Sequence, residues 1–116
     1  MGKDILVKIE RDPLFGLTRE EYIHQLKERL SGRALEAYLF GSVTGDSFGK
    51  FSDVDLIIIA DTTVPFVERN AVYQDLLDLV PSTDILVYTP DEFKSIMADA
   101  DAGFWKSAKS SMMQIL

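Results

Sequence analysis

The chain has 116 residues, with 19 acidic against 12 basic side chains for a net charge of −7, and it contains no cysteine. That length supports one domain with a modest core, and the lack of thiols excludes disulfides and thiolate metal sites. The acidic balance argues against direct attraction to nucleic acid or anionic lipid. No apolar run approaches the roughly 18–20 residues that span a bilayer, and the acidic, briefly apolar start is unlike a secretory signal, so the expectation is a cytoplasmic protein.

The first apolar stretch, Asp4 to Glu10, fits a strand or a short helix by periodicity, and the strand is the reading adopted. A loop at Asp12-Pro13 and Gly16 precedes the first clear helix. Thr18 and Glu21 have capping-box spacing. Tyr22, Ile23, Leu26 and Leu30 then recur on one helical face, and Gly32 supplies the stop. The only histidine, His24, sits beside that stripe and reads as solvated together with Glu20, Lys27, Glu28 and Arg29.

Ala34 to Phe40 predicts a strand running into a tight turn at Gly41-Ser42, where glycine permits close backbone approach and successive N–H groups suit a phosphate. A loop over residues 41–52 follows, with Lys50 its one basic residue. Asp53 to Ala60 predicts a second strand, its Ile-rich run too short for a helix and suited to burial on both faces. Phe66 to Val80 carries the stripe Phe66, Val67, Ala71, Val72, Leu76, Leu77 and Val80 of an amphipathic helix ending at Pro81. Ser82-Thr83-Asp84 leads into a third strand, Ile85 to Val87.

A strand, a helix and a strand of these lengths make a crossover that pairs its strands in parallel. The starts of strands two and three then share an edge, which brings Asp84 towards Asp53 and Asp55. An antiparallel first strand adds Gly41 and Ser42 to that edge. Pro90-Asp91-Glu92 opens a last helix with Phe93, Ile96 and Met97 facing inward. The tail over residues 99–116 closes the core as a short helix, or else offers Phe104, Trp105, Met112 and Met113 to a partner.

Asp53 and Asp55 lie two apart on a strand, so they point to one face at roughly 6–7 Å separation. Two like charges at that distance repel by about 2 kcal/mol at an effective dielectric near 20. A divalent cation offsets such a cost, because hard metals take one or two carboxylates plus substrate phosphates.

Gly41-Ser42, ten intervening residues, Asp53-Val54-Asp55 and an apolar strand resemble the signature of the nucleotidyltransferase superfamily that includes DNA polymerase beta. In size the chain is most similar to its minimal nucleotidyltransferase (MNT) branch, often paired with HEPN-domain toxins. The likeness covers roughly residues 18–98. It implies an α/β (α+β) fold, a small mixed sheet flanked by helices in a single domain.

The resemblance also implies Mg²⁺, with two ions, held by Asp53, Asp55 and Asp84 as catalytic and metal-binding residues. A nucleoside triphosphate, ATP, would be the donor, its phosphates held by Gly41, Ser42 and Lys50. The implied reaction moves AMP to a hydroxyl, such as a tyrosine, on a HEPN-type partner, as the antitoxin of a toxin–antitoxin pair. Many minimal members carry an arginine just after the Gly-Ser, whereas this chain has Val43, Thr44 and Gly45. Two alternatives stand beside this reading. One is a non-catalytic antitoxin that neutralises its partner by occlusion, and the other is a small-molecule nucleotidyltransferase completed by a homo-oligomer.

Overall fold

Helix α1 forms over Arg19–Leu30 with Thr18 as its cap: the Thr18 hydroxyl accepts the Glu21 N–H at 3.1 Å, and the Glu21 carboxylate accepts the Thr18 N–H at 2.8 Å. Tyr22, Leu26 and Leu30 are buried, as the stripe predicts. His24 is exposed and pairs with Glu28 one turn on. The computed structural model describes residues 14–45, 53–100 and 103–116, so the segment Asp4 to Glu10 and Lys50 lie outside the described residues.

Strands β1 (Glu36–Phe40), β2 (Val54–Ile59), β3 (Thr83–Tyr88) and β4 (Met113–Gln114) form one sheet in the order β3-β2-β1-β4. β1 pairs antiparallel with both β2 and β4, and β2 pairs parallel with β3. This is the mixed sheet the crossover pattern predicts, with β4 as an addition. β3 is longer than its apolar residues suggest, so Asp84 lies within the strand rather than ahead of it.

Alternation along β2 divides the sheet into two faces. Val54, Leu56 and Ile58 point to one face, where they join Leu39, Tyr22, Leu26, Leu30, Tyr73 and Leu76. Ile57 and Ile59 point to the other, with Phe40 and Ala108 and the half-buried Tyr38, Phe93, Trp105 and Met112 around them. This second cluster is aromatic. Tyr38 stacks on Phe93 with ring centroids 5.2 Å apart, and Tyr88 meets Trp105 edge-on at 5.8 Å.

The crossover helix departs from the prediction. Residues Phe66–Arg69 form a short helix, α2, and Asn70–Asp78 continue in tighter 3₁₀-like winding, with Tyr73 off helical geometry at φ −112° and ψ 22°. Arg69, Tyr73, Leu76 and Val80 are buried, while Phe66, Val67 and Val72 are exposed, Val67 by 82%. The inward stripe therefore includes an arginine that a hydropathy pattern counts as polar.

Arg69 is stable there because its donors are satisfied. They reach the Val64 carbonyl at 2.7 Å, the Val87 carbonyl at 3.2 Å and the Glu92 carboxylate at 2.6 Å. This pairing is the main reason that the Glu92 carboxyl sits below its ordinary range, with the backbone N–H of Thr89 adding to it.

Helix α3 (Pro90–Ala98) starts at the predicted proline, but Phe93, Ile96 and Met97 are only half-buried. Helix α4 (Gly103–Ser111) and β4 form the tail. The tail closes the core through Ala108 and Ile115, while Phe104 stays 58% exposed. Among the described residues no helix is long and apolar enough to cross a membrane.

Candidate functional site

β1 ends at Phe40, and the chain turns through a single 3₁₀ turn at Gly41–Thr44. Gly41 has φ +77°, and a Cβ built on it would lie 2.6 Å from Oδ2 of Asp55. Glycine is required here on two grounds: the left-handed torsion, and the carboxylate in the space a side chain would fill. The Asp55 carboxylate thus lies directly against the backbone of the bend.

The turn is pinned from three sides. Thr44 donates its hydroxyl to the Gly41 carbonyl at 2.9 Å, and Arg19 at the start of α1 donates to the Gly45 carbonyl at 2.8 Å. From the tail, the Ser111 hydroxyl accepts the Gly41 N–H at 2.8 Å.

Strand register gathers the acids. Asp55 stands opposite Phe40 on one side and opposite Asp84 on the other. Asp53 is exposed at the mouth of β2, Asp55 is half-buried, and Asp84 is exposed. Burial pushes the Asp55 carboxyl above its ordinary value, and the negative charges of Asp84 and then Asp53 push it further. No cation among the described residues pulls it back. Ser42 lies half-buried in the turn.

A cleft of about 430 Å³ opens over Asp55 and Asp84, lined also by Asn70, Gln74 and Phe104 among others, while Asp53 and Ser42 are not part of its lining. Beside it a narrower lobe of about 140 Å³ is lined by Gly41, Ser107 and Ser111, with Phe40, Asp55 and Phe104 forming walls of both.

Of the tail residues at this site, the sequence marks Phe104 only as a partner contact, and Ser107, Ala108 and Ser111 are not among its candidates. Their signal was available: Phe104, Ser107, Ala108 and Ser111 have the i, i+3, i+4, i+7 spacing of one helical face. Asn70 and Gln74 carried no such signal, because the irregular winding of their segment decides where they point.

Mg²⁺ fits the donor set to this extent. The edge offers carboxylate oxygens whose repulsion no cation among the described residues compensates, which suits a hard cation that borrows further ligands from phosphate and water. Among the described residues no group of three or more acidic or imidazole side chains is close enough to hold a metal ion, so the protein's own share of the ligands falls short of three.

The comparisons with known proteins follow the same line. A chain of the solved complex of tri-AMPylated Shewanella oneidensis HEPN toxin with MNT antitoxin is 16% identical, with a TM-score of 0.52 over 85% of this chain and 72% of that one. A second, from a mutant of the toxin–antitoxin MntA–HpeT in which two aspartates are changed to glutamate, is 16% identical, with a TM-score of 0.51 over 86% and 73%. At such identity the likeness is one of fold. No curated protein matches the sequence. The family model described as polymerase beta, nucleotidyltransferase, matches residues 20–102, most of the chain, and the chain belongs to that family.

Proposed function

We propose that the protein is a Mg²⁺-dependent nucleotidyltransferase that moves AMP from ATP to a hydroxyl, such as a tyrosine, on a HEPN-type partner protein, as the antitoxin of the pair. The observation that carries this reading is the Asp55 carboxylate held between the side-chain-free Gly41 and the in-register Asp84. That arrangement sets a carboxylate pair against the backbone of the bend and destabilises the acidic edge until a cation offsets its charge.

In this reading Gly41 and Ser42 bind the β- and γ-phosphates, with Lys50 from the loop as a further cation. Asp53, Asp55 and Asp84 hold the metal, which when bound neutralises charge on the phosphates and lowers the barrier to in-line displacement. The acceptor oxygen forms a bond to the α-phosphorus as the bond to the bridging oxygen breaks. Pyrophosphate leaves on the Gly41 side, and the hydroxyl proton passes to Asp84, which faces the wider lobe. Half-burial of Asp55 strengthens its interaction with bound charge.

Incubation with α-labelled ATP, Mg²⁺ and the HEPN-type product of a neighbouring gene tests the proposal. Label is expected on the partner and is expected to vanish with Asp53→Ala and Asp55→Ala. Label that persists in that double variant counts against it.

A second reading has its own observation. Phe66, Val67 and Val72 expose apolar surface on the segment after β2, which suits a module that neutralises its partner by occlusion. If the double variant labels nothing yet still protects against the partner, occlusion is the function.

A further inference from the structure

The two lobes share the wall formed by Phe40, Asp55 and Phe104, yet they differ in size and in chemistry. The narrow one, about 140 Å³, is lined around Gly41 by the small residues Ser107, Ala108 and Ser111. The wide one, about 430 Å³, falls within the range of roughly 300–1,000 Å³ typical of sites for organic ligands. Beyond the acids its polar lining residues are Asn70, Gln74 and Thr83, whose hydroxyl is already donated to the Val80 carbonyl, and Leu77, Leu86 and Phe104 supply apolar surface.

In-line transfer fixes how such a pair of lobes is used. The entering and leaving oxygens stand on opposite sides of the phosphorus. If pyrophosphate departs towards Gly41, the acceptor enters from the Asp84 side, through the wide lobe. This step rests on the nucleotidyltransferase reading above.

From this we infer that Asn70 and Gln74 position the acceptor: they line the lobe that receives the acceptor hydroxyl and its aromatic stem, and they set which acceptors are used. Each amide offers both donors and an acceptor without adding charge, so it can hold a neutral side chain beside two carboxylates. The exposed Phe104 ring, braced edge-on by Phe40 at 5.9 Å and Trp105 at 5.0 Å, gives an aromatic stem a fixed surface to lie on. The irregular winding of Asn70–Asp78 accounts for the placement, because the cleft wall is built from a segment whose apolar Val72 is turned outward.

The test uses the full chain, ¹⁵N-labelled, with Mg²⁺ and α,β-methylene-ATP as a non-transferable donor, followed by N-acetyl-tyrosinamide as the hydroxyl probe. Asn70 is the only asparagine, so its side-chain amide signal is readily assigned. The Asn70 and Gln74 amide signals are expected to stay in place on adding the nucleotide analogue and to move on adding the phenol. The Asn70→Ala/Gln74→Ala variant is expected to bind the phenol about tenfold more weakly, the effect of two lost hydrogen bonds, with nucleotide affinity within about twofold of the unaltered chain.

If the amides respond to the nucleotide and the variant loses nucleotide affinity, the lobe holds the base and the assignment is overturned. Analogue binding with no response to the phenol, or equal phenol binding by the variant, overturns the assignment alone. If no analogue binds to the unaltered chain, the catalytic reading fails, and the lobe assignment falls with it.

Discussion

The two faces of the sheet share the same β2 residues in alternation and are built to opposite specifications. On one, Val54, Leu56 and Ile58 are fully buried under α1 and the 3₁₀ segment. On the other, Ile57 and Ile59 are equally buried, but two residues upstream the same row becomes Asp55 at an open cleft, with Asp53 exposed beyond it. One strand therefore serves as core and as candidate site at once. The closed face fixes the backbone, and that fixed backbone holds carboxylates together that would otherwise move apart.

The comparison is broken most strongly from the closed side. Leu56→Ala is expected to cost about 3 kcal/mol, lowering the melting temperature by roughly 10 °C in calorimetry, because it opens a cavity in a fully buried layer. A loss below about 1 kcal/mol would show that this face is not what holds the acids in register.

Next in size is Gly41→Ala, at about 2 kcal/mol, from the left-handed torsion and the Asp55 oxygen 2.6 Å from the new Cβ. In an Asp55→Ala background the same change is expected to cost measurably less in denaturant titrations, since only the torsional part remains. Additive effects would mean that the bend and the carboxylate do not press on each other.

On the open side the sign reverses. The folded-state pKa of Asp55 is raised above the ordinary 3.8, so the folded chain holds that proton more tightly than the unfolded chain does. Its contribution is therefore most favourable at low pH and is lost as pH rises through the raised folded value. Asp55→Asn is expected to stabilise the metal-free protein at neutral pH by about 1 kcal/mol after solvent screening, and to flatten that pH dependence in thermal melts. The same variant should lose nucleotidyl transfer. A destabilised Asp55→Asn variant would show that the carboxylate is structural and not held at a cost for function.

What the sequence displays depends on how local the cause is. The capping pair Thr18 and Glu21, the buried row of α1 and the parallel crossover follow from spacings of two to four residues or from one short connection, and all are visible along the chain. Asp53 and Asp55 are legible because alternation is a local rule, and the position of Asp84 follows once the strands are known to run in parallel.

Arg69 is not legible as an inward residue, because its burial depends on Val87 and Glu92 meeting it from elsewhere in the fold. Nor is the return of Ser111 to Gly41, seventy positions earlier, which no periodicity encodes. The outward turn of Phe66, Val67 and Val72 belongs to the same class. An apolar stripe was present, but the fold buried only its Leu76 and Val80, in a row completed by Arg69 and Tyr73.

The Ser111 hydroxyl at the bend has one more consequence. It takes the Gly41 amide at 2.8 Å while keeping its own links to the Ala108 and Ser107 carbonyls at 3.2 and 3.4 Å. An incoming anionic oxygen would then exchange with a neutral placeholder instead of meeting a bare amide. On the proposed function the main chain would be shaped in advance for a phosphate, and the serine released by the swap would still have somewhere to rest.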